Sequence, residues 1–241
     1  MTTETHNPTI LLIPGHWLGA WAWDEVLEHL TSLGHRAIPL TLPGLDASDS
    51  SRLTRTLEEQ AAAIEQAAAG SSGPVVVVAH SGANAPVSLV LDRRPELFSR
   101  VIWVDSGPAA PGVAFAPDFP VDREDLPLPP FEMLGEQAST EGLNAHALER
   151  FRERAVSEPG TVLRQIVQLT NDARFDVPTT FVCCSMPSSL IQELVKAGHP
   201  MFAEVASLKS VHYVDLPTGH WPMWSRPTDL AEVIASESTE A

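Results

Sequence analysis

Short apolar runs alternate along the chain with segments whose apolar residues recur at helical spacing. The clearest run is four consecutive valines at residues 75–78, which follow Gly73 and Pro74. An uninterrupted apolar run of this length is typical of a strand covered on both faces, as in a parallel sheet. The pattern predicts six strands, at residues 9–13, 36–40, 75–78, 100–104, 179–184 and 211–214.

The segments between these strands predict helices. Helical spacing of apolar residues is found at residues 21–33, 54–69 and 83–91, and again from residues 188 and 228 onward. Pro86 is tolerated in a first helical turn, so the third helix is expected to begin close to Gly82. Repeated strand–helix units indicate an α/β fold with a doubly wound, mostly parallel sheet of about six strands. The polar tail from Ser236 onward is predicted to be frayed.

The alternation stops between residues 107 and 171, a segment that we call the insert. Seven prolines lie between Pro108 and Pro130 among several acidic residues, and a central strand does not tolerate that composition. Helical patterns follow at residues 143–156 and 162–169. Long insertions in such folds are often lids. The chain is therefore divided into a core, residues 1–106 and 172–241, and a helical and Pro-rich lid, residues 107–171.

Composition and charge narrow the classes of function. The chain has 241 residues, which suits one α/β domain, and its acidic residues outnumber the basic ones 31 to 15. A net charge of -16 disfavours binding to nucleic acid or to anionic lipid. No apolar run approaches the ~20 residues of a membrane span, and the polar first nine residues lack the pattern of a secretory signal. The oligomeric state is left open, with a homodimer among the alternatives.

The two cysteines, Cys183 and Cys184, are adjacent on a predicted strand. Their side chains should point to opposite faces, which excludes an ordinary disulfide between them. No metal-binding cysteine pattern is present. We therefore expect buried thiols, a cytoplasmic protein, and neither a metal nor another cofactor.

Ser81 is the strongest candidate for chemistry. It follows the valine run and precedes a predicted helix, which is the context of the G-x-S-x-G nucleophile elbow. Ala79 and Ala83 stand where the motif has glycine, and both are small enough for the close approach of strand and helix. The alternative interpretation is that Ser81 only caps a helix. His220, in the loop after the last predicted strand, is the candidate base, while His146 and His199 could line a pocket.

The acid that would orient His220 has two candidates. Residues 185–187, which follow the predicted strand at 179–184, contain no carboxylate. Asp105 ends another predicted strand and preserves the chain order Ser…Asp…His, although it could instead only accept loop N–H groups. Asp215 lies nearer to His220 in sequence but on or near the last predicted strand. We therefore favour Asp105.

Residues 14–23, with the sequence PGHWLGAWAW, resemble a stretch of a known family. The stretch is the HGAWxGxWxW segment of the small plant methylesterase and hydroxynitrile lyase branch of the α/β-hydrolase-fold proteins. The resemblance covers most of the chain apart from the insert, and it implies the α/β-hydrolase fold. It also implies that the backbone N–H groups of His16 and Gly82 form an oxyanion hole. Trp17 is expected to face the pocket, whereas Trp21 and Trp23 are expected to pack in the core.

These residues and the resemblance together predict a cofactor-free serine hydrolase for a small hydrophobic carboxylic ester or lactone. The insert would cover the site, and its candidate pocket residues are Phe115, Phe119, Phe131, Met133 and Leu134. The alternatives are a non-catalytic small-molecule-binding protein and a cofactor-free lyase or dioxygenase on the same fold. A hydroxynitrile lyase of this branch would need a lysine near the serine, and neither Lys196 nor Lys209 stands at that position.

Overall fold

The computed structural model describes residues 7–239. The strands, numbered along this part of the chain, are β1 (Ile10–Ile13), β2 (Ala37–Pro39), β3 (Val75–His80), β4 (Phe98–Val104), β5 (Asp125–Leu126), β6 (Glu158–Pro159), β7 (Thr179–Cys183) and β8 (Val211–Asp215). Within these residues, six strands form one parallel sheet in the order β2-β1-β3-β4-β7-β8. The six strands expected from the apolar pattern are these six, so the predicted fold class is confirmed.

Helices cover both faces of the sheet. They are α1 (Asp24–Ser32), α2 (Leu57–Ala69), α3 (Asn84–Arg93), α4 (Phe131–Gln137), α5 (Ala145–Arg154), α6 (Gly160–Arg164), α7 (Ser188–Lys196), α8 (Ala203–Ser207), α9 (Pro222–Ser225) and α10 (Pro227–Thr239). Helix α1 packs against α10, and α2 packs against α3. Helix α2 begins three residues later than the pattern predicts because Thr56 and Glu59 form a capping box around its first turn.

The valine run shows why the apolar pattern is continuous. Val75 and Val77 belong to one buried apolar cluster, whereas Val76 and Val78 belong to another on the opposite face. Successive side chains of a strand point to opposite faces, so a strand with a core on each side must be apolar at every position. All four valines are fully buried.

The insert contributes no strand to the main sheet. Its strands β5 and β6 pair only with each other, in antiparallel orientation. The predicted helix at residues 143–156 is present as α5, the one at 162–169 is shortened to α6, and α4 was not predicted. The apolar side chains of the insert join both core clusters, with Val162, Val167 and Leu169 in one and Leu134, Ala147 and Phe151 in the other.

The prediction of a frayed tail from Ser236 onward is wrong for the described residues. Helix α10 continues to Thr239, and Glu237 and Ser238 are buried. Glu237 accepts hydrogen bonds from Thr180 Oγ1 at 2.7 Å and from His212 Nδ1 at 2.8 Å. The polar sequence of the tail indicates an exposed segment. The burial of Glu237 depends on Thr180 of β7 and His212 of β8, which are distant in the sequence.

Between residues 7 and 239, no helix is both long enough and apolar enough to cross a membrane.

Candidate active site

The chain turns sharply at the carboxyl end of β3. Ser81 follows the strand with a φ of 51°, a left-handed conformation that is uncommon outside glycine. A 3-10 turn (Ser81–Ala83) then leads into α3. The loop after β1 approaches closely here, because a Cβ added to Gly15 would lie 2.7 Å from the Cβ of Ser81. The strained turn presents the Ser81 hydroxyl at the edge of the sheet.

Ser81, His220 and Asp105 are joined by hydrogen bonds. The Oγ of Ser81 lies 2.8 Å from Nε2 of His220, and Nδ1 of His220 lies 2.6 Å from Oδ2 of Asp105. Asp215 instead accepts hydrogen bonds from the backbone and hydroxyl of Ser188, both at 2.7 Å, at the start of α7. Of the two carboxylates considered from the sequence, Asp105 is the one in contact with His220.

The Asp105 carboxylate is buried and well supplied with hydrogen-bond donors. Oδ1 accepts from the N–H groups of Ser185 at 2.8 Å and Cys184 at 3.2 Å, and Oδ2 also accepts from the Ser185 hydroxyl. Burial raises the pKa of Asp105, but hydrogen bonds from His220 and Ser185 and the charge of His220 outweigh it, so the pKa lies below its usual value. The carboxylate is therefore ionised at neutral pH and accepts a hydrogen bond from the Nδ1–H of His220.

His80 and the insert hold the backbone of His220 in place. The Nε2–H of His80 donates to the His220 carbonyl at 2.7 Å, and the His220 N–H donates to the Ser139 carbonyl, also at 2.7 Å. His80 is completely buried, and burial lowers its pKa to about 3. Its imidazole therefore stays neutral and serves as a hydrogen-bond donor to the backbone of His220.

The two amides expected to form the oxyanion hole lie at the cavity wall beside Ser81. Both His16 and Gly82 line the same cavity as Ser81 and His220. Outside the helices and strands of residues 7–239, neither the N–H of His16 nor that of Gly82 donates a hydrogen bond to a backbone carbonyl. Trp17, the next residue after His16, has a φ of 65°, so this loop is also held in an uncommon conformation.

A cavity of about 680 Å³ opens above the Ser81 hydroxyl. Trp17 lines it, as do two of the insert residues expected there, Phe115 and Leu134. Trp21 and Trp23 lie away from it: Trp23 is fully buried, and Trp21 stacks on Trp224 at 5.5 Å between ring centroids. His146 and His199 do not line it either.

Three other residues of the insert were wrongly expected at the cavity. Phe119 packs between the guanidinium groups of Arg123 and Arg164, Phe131 lies between Phe151 and Arg152, and Met133 is 56% exposed. Successive residues of a helix point in directions about 100° apart, so α4 can turn Leu134 to the cavity only by turning Met133 away. Without knowing that α4 exists, the sequence could not distinguish these positions.

Another part of the cavity wall was not predicted from the sequence. It is formed by apolar side chains that follow β7, namely Met186, Ile191, Met201, Phe202 and Val205. These residues belong to α7, α8 and the segments before them. The apolar pattern predicts a helix in this region but does not indicate that it faces a cavity. The Glu158 carboxylate, which contacts His16, was missed as well. No local signal marks it, because its partner is 142 residues away in the sequence.

Within the described part of the chain, no three side chains of His, Cys, Asp or Glu are grouped so that they could hold a metal ion. The site consists of a serine, a histidine and a carboxylate at the wall of a largely apolar cavity. Such a group of side chains can activate a hydroxyl for nucleophilic attack.

Comparisons with known proteins show the family and the fold of the chain. Residues 10–233 match the model of the Alpha/beta hydrolase family. The chain is 26% identical to a probable hydrolase, R7, of a Phoma species, over 95% of this chain and 97% of the relative. It is 25% identical to a pyrethroid hydrolase of Sphingobium wenxiniae, over 94% of this chain and 86% of the relative. The crystal structure of the Arabidopsis methylesterase MES16 superposes with a TM-score of 0.72 at 16% identity, over 97% of this chain and 100% of the other.

Proposed function

The chain belongs to the alpha/beta hydrolase family, and from that premise we propose that it is a serine hydrolase of small hydrophobic carboxylic esters or lactones. The observation that carries the proposal is the hydrogen-bonded series Ser81–His220–Asp105. It stands at the wall of an apolar cavity, where water is partly excluded and electrostatic interactions are strong. A serine that merely capped a helix would need neither the histidine nor the buried carboxylate.

In the proposed first step, Nε2 of His220 takes the proton of Ser81 as Oγ attacks the substrate carbonyl. The carbonyl oxygen becomes an oxyanion, which accepts hydrogen bonds from the N–H groups of His16 and Gly82. Asp105 stabilises the imidazolium that forms on His220. The tetrahedral intermediate then collapses, the alcohol oxygen leaves with the proton from His220, and the acyl group stays on Ser81.

In the second step, His220 removes a proton from a water molecule, and the resulting hydroxide attacks the acyl carbon. The second tetrahedral intermediate releases the carboxylic acid, and the proton returns to Ser81 Oγ. A lactone follows the same two steps, except that its alcohol remains attached to the acyl chain. No cofactor is required for either step.

The walls of the cavity support a hydrophobic substrate. Trp17, Phe115 and Leu134 line the cavity, as do the apolar residues that follow β7, so much of the wall is apolar. The names of two similar proteins, a pyrethroid hydrolase and a methylesterase, agree with an ester as the substrate class. In this proposal the insert acts as the lid, and the lining of the cavity by Phe115 and residues 134–139 supports that role.

Two measurements test the proposal. The purified protein is assayed with p-nitrophenyl esters of increasing acyl length and with γ- and δ-lactones, and turnover of at least one series is expected. A fluorophosphonate should add one phosphonyl group to Ser81, detected by peptide mass spectrometry. Ser81→Ala should take no label, and its kcat should fall by about 10⁶-fold, as it does when the nucleophile of such a triad is removed.

Ser48→Ala serves as the matched control, because Ser48 is an exposed loop residue. The Ser48→Ala variant should react with the fluorophosphonate and hydrolyse the substrate as the wild type does. If the wild-type protein takes no label and turns over no ester or lactone, the proposal fails and a non-catalytic binding protein is favoured. Retention of more than a tenth of the activity in Ser81→Ala would also contradict it.

A further inference from the structure

The side chain of His16 forms a second histidine–carboxylate pair, which the mechanism above does not use. Its Nδ1–H donates to Oε2 of Glu158 at 2.9 Å. Both side chains are buried, with 10% of His16 and 1% of Glu158 exposed. The amide of Gln60, also buried, points to the other oxygen of Glu158 at 3.4 Å. A buried carboxylate is tolerated only when it is hydrogen-bonded, so this pairing fixes the plane of the His16 imidazole.

The imidazole of His16 occupies the space that a side chain at position 82 would take. A Cβ added to Gly82 would lie 2.3 Å from Cδ2 and 2.4 Å from Nε2 of His16. No other residue type could therefore stand at position 82 while the ring stays in place. The ring of Phe115 packs against the imidazole, with 4.2 Å between the centroids. The His16 Nε2 is buried and has no hydrogen-bond partner within residues 7–239.

We propose that His16 and Glu158 are positioning residues for the oxyanion hole. The two proposed oxyanion donors are the amides of His16 and Gly82, and the side chain of the first lies directly against the backbone of the second. Glu158 holds that side chain from strand β6 of the insert. The pair therefore fixes the distance between the two donors and connects the insert to the hole. This inference rests on the proposed function.

The expected effect is large because oxyanion stabilisation depends on distance. Removing one donor from an oxyanion hole lowers kcat by about 10²–10³, and a displacement of about 1 Å in an active site can cost about 10². The loss of kcat caused by a loosened His16 ring should fall within this range, because both donors are retained but their positions are no longer fixed. Substrate binding in the ground state should change little, since Glu158 itself does not line the cavity.

The first experiment compares Glu158→Leu with Glu158→Gln. Leucine is similar in volume but leaves Nδ1–H without an acceptor, whereas glutamine keeps one. Glu158→Leu should lower kcat about 10- to 100-fold with KM within about 3-fold, and should weaken a trifluoromethyl ketone inhibitor in proportion to kcat. Glu158→Gln should recover to within about 3-fold of the wild type. Glu124→Leu, at an exposed position of the same insert, is the matched control.

Three results would overturn the inference. One is unchanged kcat and unchanged inhibitor affinity in Glu158→Leu. Another is a loss of kcat without a matching loss of affinity for the ketone, which would indicate a merely structural role. The third is a Glu158→Gln variant as impaired as Glu158→Leu. Full phosphonate labelling of Ser81 in these variants shows that the proposed function itself still stands.

A second experiment does not depend on whether a variant at Glu158 folds. Gly82→Ala should impair kcat strongly, because the new methyl group meets the His16 ring. His16→Ala in the same chain removes the ring, and the double variant should regain at least about 10-fold over Gly82→Ala alone. If the kcat of the double variant does not exceed that of Gly82→Ala, the packing of His16 on Gly82 does not position the oxyanion hole, and the inference fails.

Discussion

The hydroxyl of Ser185 donates to Oδ2 of Asp105 at 2.7 Å, and this contact joins the carboxyl ends of β7 and β4. Ser185 stands after β7, where the acid of an α/β-hydrolase site is usually found, but the carboxylate that contacts His220 lies at the end of the neighbouring strand β4. The residue at the usual place therefore supports the carboxylate instead of supplying it. Its N–H donates to the other oxygen at 2.8 Å, so Oδ2 is held toward His220.

Asp105→Asn should lower kcat by about 10⁴, because an amide at this position no longer stabilises the imidazolium of His220 and favours the wrong tautomer. Asp215→Asn is the matched control, since Asp215 binds the first turn of α7 and should change kcat less than about 3-fold. Steady-state kinetics on the best substrate of the ester panel give both values. Similar losses in the two variants would contradict the role of Asp105.

Ser185→Ala should have a smaller effect than Asp105→Asn. It removes one hydrogen bond to Oδ2 but leaves the backbone N–H groups of Ser185 and Cys184 on Oδ1. One hydrogen bond to a charged group contributes about 1.5 kcal/mol, so a loss of about 10-fold in kcat is expected. The expected result is a loss of kcat with KM unchanged. A KM effect alone would mean that Ser185 contacts the substrate instead.

The sequence was sufficient for the sheet and for the three residues at its edge. The valine run at residues 75–78 predicts a strand that is covered on both faces. The position of Ser81 directly after this strand predicts a sharp turn. Asp105 and His220 follow other parallel strands, whose carboxyl ends meet at the same edge of the sheet. These conclusions depend on local patterns and on a topology with few alternatives.

The sequence was insufficient where a residue acts through a distant partner. Glu158 and Glu237 are buried carboxylates, yet nothing near them in the sequence distinguishes them from surface residues. Buried Glu158 accepts hydrogen bonds from His16 and Gln60. Buried Glu237 accepts hydrogen bonds from Thr180 and His212. Helix α4 was missed because prolines precede it and it is only seven residues long.

His80 should make stability depend on pH below neutrality. Burial lowers its pKa to about 3, whereas an unfolded histidine has a pKa of about 6.5, so the unfolded chain binds more protons between these values. The stabilisation is complete above pH 6.5 and is lost as the pH falls, by about 1.4 kcal/mol for each pH unit. His80→Gln should remove this contribution from the slope, measured by urea unfolding at pH 7.5, 6 and 5.

His146→Gln, at an exposed position, controls for the loss of one histidine in that experiment. The comparison depends on the difference in slope between the two variants, since other groups contribute to both alike. Equal slopes for wild type and His80→Gln would show that His80 does not resist protonation in the folded protein.

The two cysteine thiols should be inert in the folded protein. Burial raises the pKa of Cys183 to about 12, with a further contribution from Asp215 and Asp105, and burial also raises the pKa of Cys184. At pH 8.5 an ordinary thiol is about half ionised, whereas a thiol with a pKa of about 12 is ionised to less than about a thousandth. Iodoacetamide at pH 8.5 should label both cysteines in urea and neither in buffer. Rapid labelling of Cys183 in the native protein would refute this prediction.

Glu237 should be one of the most sensitive positions for stability, although it lies close to the C-terminus. Its carboxylate is 5% exposed and accepts hydrogen bonds from Thr180 and His212, with Arg100 at 3.5 Å. Removing one member of a buried ionic group leaves the others without compensation and costs about 3 kcal/mol. Glu237→Ala should therefore lower the free energy of unfolding by about this amount, measured by urea denaturation. Glu232→Ala, an exposed position on the same helix, should change it by less than about 0.5 kcal/mol. If the two variants are equally stable, the end of α10 does not hold the sheet at β4, β7 and β8.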